Sequence, residues 1–221
     1  MSELEESKKF NINDLKEVEK YSINRLSDYE IKNLKFIKVM FGTASKAGTD
    51  FEYKIDEINK TDDWHPETKD SKDIGGFNFS VEEKILRWLV RGDTLYDVII
   101  PENTEVYDCE SPSAPHGVFR SNKIIINNPR LVTDEMAMNF YKKSILPEKS
   151  YFKAMAGCAI RGYINTAIQI FRDKVNKENV NLAFDEFKDF ITPNDKEDFS
   201  KEYLGENTKE IYDMFIALIN M

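Results

Sequence analysis

Histidine and cysteine are scarce in this chain, with two of each among 221 residues. Cys109 and Cys158 stand far apart and form no spaced pair suited to zinc. A disulfide framework is not expected, and the chain reads as a product of a reducing compartment. Cys158 falls in an apolar helical pattern, where a thiol acts as a small buried hydrophobe. His65 and His116 each lie beside a proline in loop-like sequence, with no cysteine or second histidine nearby. Histidine suits acid–base work near neutral pH, but a loop role is the better expectation for both, and no metal is expected.

Other signatures are missing as well. No serine stands in G-x-S-x-G, and no G-x-x-x-x-G-K-[ST] phosphate loop occurs. There are no internal repeats and no low-complexity tract. No apolar run approaches membrane-spanning length, and "MSELEESKKF" lacks the apolar core of a signal peptide. A soluble, cytoplasmic protein without membrane contact is expected.

Positive charge is in deficit. Lys and Arg number 31 against 40 Asp and Glu, a net charge of −9. Proteins that bind nucleic acid by neutralising phosphates show the opposite balance, so direct nucleic-acid binding is not expected. The charges are interspersed, as on a solvated surface. Mimicry of nucleic acid would need the acidic residues to cluster in space.

What is present is a core: 41% of residues are hydrophobic and 12% aromatic. Three regions separate by pattern: a helical, polar segment over 1–34, a β-rich middle over 35–131, and a helical region over 132–221. Leu15, Val18 and Tyr21 suggest one N-terminal helix, and Ser27 is placed to cap a second. Strands are predicted at Lys35 to Phe41, Phe51 to Ile55, Thr94 to Ile100, Thr104 to Tyr107 and Lys123 to Ile126, with a polar loop around Trp64. Later helices are predicted from Thr133, after Pro147, through Phe184, Phe187 and Ile191, and through Ile211, Met214, Phe215 and Leu218, with a break at Gly162. Tyr151, Met155 and Cys158 share a buried helix face. The fold class is α+β.

"GGFNFSVEEKILRWL", Gly75 to Leu89, changes periodicity midway. Phe77 and Phe79 alternate with Asn78 and Ser80 as in a half-buried strand, and Val81, Ile85, Trp88 and Leu89 then follow a helix face. Ser80 and Glu83 form a candidate capping box. Two glycines ahead of such a strand either let the backbone turn or permit close approach of a ligand.

Four motifs follow in order: "VMFGTAS" ending a strand with Gly-Thr, "GGFNFS" entering a helix, "TLYDVIIPENTEVYD" with its proline turn, and "VFRSNKIIINNP". In this order they resemble the ADP-ribosyltransferase family over roughly Lys35 to Leu131. The resemblance implies a split β core and an NAD cleft lined by Phe41, Gly42, Thr43, Asn78, Phe79 and Ser80. It also implies ADP-ribosyl transfer to a protein or other macromolecule. The chain departs from the family where catalysis is decided. Phe41 replaces the histidine before Gly-Thr, Asn78 replaces the stacking tyrosine, and Asn122, two residues after Arg120, replaces the glutamate. An amide keeps a hydrogen bond but not the negative charge that stabilises the developing cation. Glu102, Glu105 or Glu110 could stand in for that carboxylate, although Glu102 and Glu105 flank a turn. Arg161, beside Gly162, could bind an anion or simply pack. The expectation is therefore an NAD- or nucleotide-binding protein with reduced transferase capacity. The alternative is a non-catalytic interaction or inhibitor protein working through its helices and acidic surface.

Overall fold

Eight strands and seven α-helices build the described part of the computed structural model, which covers residues 21–44, 51–111, 117–191 and 206–221. The chain runs β1 (Ser22–Arg25), α1 (Asp28–Asn33), β2 (Phe36–Met40), β3 (Ile58–Lys60), β4 (Phe77–Val81) and α2 (Glu82–Ile85). A 3-10 helix (Leu86–Arg91) leads into β5 (Thr94–Ile99), β6 (Tyr107–Glu110), β7 (Phe119–Ser121) and β8 (Lys123–Leu131). The helices α3 (Asp134–Lys143), α4 (Glu148–Ile160), α5 (Ile164–Lys174), α6 (Val180–Ile191) and α7 (Glu206–Ile219) complete an α+β fold.

The strands form one antiparallel sheet in the order β1-β6-β7-β4-β2-β5-β8-β3. β2 sits near its middle and is buried on both faces. Side chains alternate across a strand, so Ile37 and Val39 pack with Leu95 under the helices, while Phe36 and Met40 join a second core with Tyr96 and Val98. Phe36 anchors that second core, its ring edge-on to Phe79 and Phe119 at 5.1 Å each. Tyr53, Leu26 and Val106, from segments outside the strands, close it. The helical layer packs around α4, where Tyr151, Met155 and Cys158 are all buried as their spacing predicts. No described helix is long and apolar enough to cross a membrane.

One seam in the sheet is short. β2 pairs with β5 along all five residues, but with β4 only at Phe36↔Val81 and Ile37↔Ser80. β4 then continues against β7 through Phe77, Asn78 and Phe79. The sheet therefore parts beside Lys38.

Several elements correct the sequence-based expectation. Ser22–Arg25 is a strand, not part of a helix, because it completes the sheet edge against Tyr107–Glu110. The helix expected over Asp14 to Tyr21 falls almost wholly outside the described residues. Phe51 to Ile55 forms isolated bridges, not a strand. The Asn59 amide bonds Lys54 at both its N–H and carbonyl, closing a turn in which Asp56 takes a positive φ of 61°. The strand expected from Thr104 begins at Tyr107, and that expected over Lys123 to Ile126 runs on to Leu131. Ser80 is not a helix cap. It stays in the ladder opposite Ile37, the helix starts at Glu82 without a side-chain cap, and the Ser80 hydroxyl donates to the Gly117 carbonyl at 2.7 Å.

Ser27 and Thr133 do cap their helices, Ser27 in a full capping box with Glu30. Gly162 ends α4 with φ of 77°.

Candidate functional site

Where β2 and β4 separate, a cavity of about 590 Å³ opens between Ile37–Met40 on one side and Gly75–Ser80 on the other. Its size is that of a small-molecule site. The two glycines shape its rim for a structural reason. Gly75 and Gly76 both have positive φ, 71° and 75°, and a Cβ on Gly75 would lie 2.4 Å from the Asp63 carbonyl. A Cβ on Gly76 would lie 2.6 Å from the Trp64 ring. The close approach that needs glycine is thus made by the 61–64 segment, whose Asp63 carbonyl accepts the Gly76 N–H at 2.8 Å.

The walls carry opposite kinds of chemistry. Phe51, Tyr53, Phe77 and Trp88 supply ring surface. Lys38, Lys72, Arg91 and Arg120 supply positive charge, and Asp63 is the one carboxylate among the described lining residues. Arg120 lies on β7 beside Asn78, reaches the Gly75 carbonyl with one Nη at 3.4 Å, and keeps a buried Nε without a hydrogen-bond partner among the described residues. The Lys72 ammonium sits 4.0 Å from the Tyr21 ring centroid, a cation–π contact.

Lys38 is the most unusual of the four. It is 8% exposed in the middle of β2. Its Nζ donates to the Asn78 carbonyl at 2.5 Å and lies 5.1 Å from the centroid of the Tyr53 ring. Burial lowers its pKa to about 7, since desolvation disfavours the charged form. The sequence held a signal for it: one lysine inside the apolar run "KFIKVMF", a strand buried on both faces. Tyr53 and Asp63 carried no comparable signal, because segments outside the strands bring them here, while Trp88 comes from the 3-10 helix that follows β4 closely.

Of the residues proposed from sequence, Asn78, Phe79 and Ser80 line this cavity. Phe41, Gly42 and Thr43 lie just past it. Phe41 packs under the Arg161 guanidinium at 4.7 Å. Gly42 has φ of 53°, and its carbonyl accepts the Tyr96 hydroxyl at 3.0 Å. The Thr43 carbonyl accepts the Tyr53 N–H at 2.9 Å. Asn122 sits in the turn between β7 and β8, where its carbonyl accepts the Thr61 N–H at 3.1 Å, and it is not among the lining residues.

The glutamates are placed elsewhere. Glu105 pairs with Arg25 at 3.0 Å and accepts the Tyr107 hydroxyl. Glu110 is buried and accepts the Ser22 hydroxyl at 2.6 Å, tying β6 to the edge strand. Glu102 is exposed in its turn. His65 is exposed between Asp63 and Glu67, and His116 lies outside the described residues. No group of three or more His, Cys, Asp or Glu among the described residues could hold a metal ion. No family model, curated protein or solved structure matches this chain.

Proposed function

We propose that the chain binds a nucleotide, NAD or a relative of it, in the cavity between β2 and β4. One observation carries this: in a protein of net charge −9, Lys72, Arg91 and Arg120, with the buried Lys38, share a pocket with one carboxylate among its described lining residues, and the pocket also has aromatic residues in its walls. Phosphates attract guanidinium and ammonium groups, and planar bases stack on rings. The order of motifs that resembles the ADP-ribosyltransferases points to the same ligand. Transfer of ADP-ribose to a macromolecule is expected to be slow. The carboxylate available at the wall is Asp63, which is exposed and 3.4 Å from His65, while Glu105 and Glu110 are engaged at the sheet edge.

Calorimetry with ADP and with NAD tests the binding. Saturable binding is expected, weakened roughly tenfold in Arg120→Gln, the loss of a charge-assisted hydrogen bond. No heat at millimolar ligand, on the order of the weakest specific affinities, would overturn it. Incubation with NAD and cell extract tests transfer. Robust nicotinamide release that survives Asp63→Asn would assign the reaction to another carboxylate.

A further inference from the structure

We propose that Lys38 is a nucleophilic amine and that the cavity takes carbonyl compounds, phosphorylated aldehydes foremost, as imines on its Nζ. The inference uses the same cavity as the nucleotide proposal but does not depend on it.

The geometry sets Lys38 apart from Lys84, the other buried lysine among the described residues. Lys84 donates to the Ile145 carbonyl at 2.6 Å and does not line the cavity, so it serves as a strut between α2 and the segment before α4. Lys38, 8% exposed against 0% for Lys84, is a lining residue of the cavity, and its Nζ donates to the carbonyl of Asn78, another lining residue. Among the described residues its recorded contacts are a neutral carbonyl and a neutral ring, with no carboxylate within ion-pair distance. Tyr96, its register partner on β5, is neutral and spends its hydroxyl on the Gly42 carbonyl. The charged groups that share the cavity lining are Arg91, Arg120, Lys72 and Asp63, and burial is what lowers the Lys38 pKa.

Nucleophilic attack needs the nitrogen lone pair, and an ammonium has none. Desolvation and neighbouring cations are the two devices that free a lysine amine near neutral pH. With the pKa lowered to about 7, a large share of Lys38 is unprotonated there. The lone pair forms a C–N bond to the carbonyl carbon, and the carbonyl oxygen leaves as water, taking both amine hydrogens. No oxidant or reductant is needed. Arg120 and Lys72 would hold an anionic substituent on the carbonyl compound, which selects phosphorylated aldehydes over neutral ones.

The test is imine trapping with two probes, pyridoxal 5′-phosphate and uncharged pyridoxal, each incubated with the full chain near neutral pH. Borohydride reduction and peptide mapping then locate the label. Label is expected on Lys38 at least about tenfold ahead of any other lysine, because an ordinary lysine holds only ~0.04% free amine at pH 7. Lys38→Met should remove it. Lys38→Arg, which keeps the charge and the bond to Asn78, serves if the methionine variant fails to fold. Pyridoxal 5′-phosphate should label faster than pyridoxal, and excess ADP should slow it. Equal labelling of Lys38 by both probes with no ADP protection would support the amine and count against the nucleotide site. Labelling spread evenly over lysines, with ADP binding intact by calorimetry, would overturn the amine and leave the nucleotide site standing.

Discussion

The ammonium of Lys38 on β2 donates to the carbonyl of Asn78 on β4 at 2.5 Å, across the line where these strands cease to pair. A side chain thus bridges a gap where the ladder stops. The contact holds the sheet together at the mouth of the cavity, and it places a desolvated amine there. Burying such a group without a counter-charge costs stability.

The cost should be visible in the pH dependence of folding. Lys38 has a folded-state pKa of about 7, below the ordinary value of 10.5 in the unfolded chain. The unfolded state therefore binds more protons between these values, and stability rises with pH across that window. The penalty is fully present below pH 7 and gone above the unfolded value. Lys38→Met should be more stable than the parent at pH 7 by ~1 kcal/mol or more, one pKa unit being worth about 1.4. Urea denaturation at a series of pH values should show the difference shrinking as pH rises toward 10. A constant difference would mean that Lys38 titrates normally.

Two glycines with similar backbone angles should respond differently to alanine. Gly42→Ala meets strain at φ of 53° but no atom within 4 Å, so a cost of about 1 kcal/mol is expected. Gly76→Ala adds a collision with the Trp64 ring and with the Ser121 carbonyl at 2.8 Å. It should cost roughly 2–3 kcal/mol more, as overpacking does, and should alter Trp64 fluorescence. Equal midpoints for the two variants in denaturant would contradict this.

Ser80→Ala should lose one buried hydrogen bond to Gly117, about 1–3 kcal/mol with the carbonyl left unsatisfied, and leave helix content unchanged. Thr133→Ala removes a true cap, whose hydroxyl accepts the Met136 N–H at 3.2 Å, and should cost ~1 kcal/mol through α3. Hydrogen exchange separates the cases: faster exchange in the first turn of α3 is expected for Thr133→Ala alone.

Asp134 caps a helix other than its own. Tyr163, at the start of α5, provides no side-chain cap, and the Asp134 carboxylate accepts the N–H groups of Asn165 and Thr166 at 2.9 and 3.0 Å. Burial raises its pKa, but the hydrogen bonds from Thr166 and Asn165 outweigh this and leave it lowered. Its contribution is present above the unfolded value, near 3.9, and is lost as pH falls through the folded value. Asp134→Ala should destabilise by about 1–2 kcal/mol at pH 7, with the difference narrowing in acid. Chemical denaturation at neutral and acid pH checks both statements.

Local patterns determined much of this protein. The apolar run "KFIKVMF" and the alternation in "GGFNFS" placed β2 and β4, the hydroxyls of Ser27 and Thr133 started their helices, and the spacing of Tyr151, Met155 and Cys158 marked the buried face of α4. These features depend on residues within a few positions of one another, so their physics is written along the chain. Asn78, Phe79 and Ser80, named through the family resemblance, line the cavity because β4 carries them there.

Tertiary structure decided the rest. Ser22–Arg25 became a strand because an edge 82 or more residues away offered it ladder bonds, and Ser80 left its cap position because Ile37 and Gly117 claimed it. The cavity itself arises from where β4 changes partner from β2 to β7, a register no local window contains. Lys38 is the point where the two levels meet. Its burial follows from its place in an apolar strand, but which charged groups share its cavity, Arg91, Arg120, Lys72 and Asp63 among the described residues, depends on the segments the fold brings to that wall.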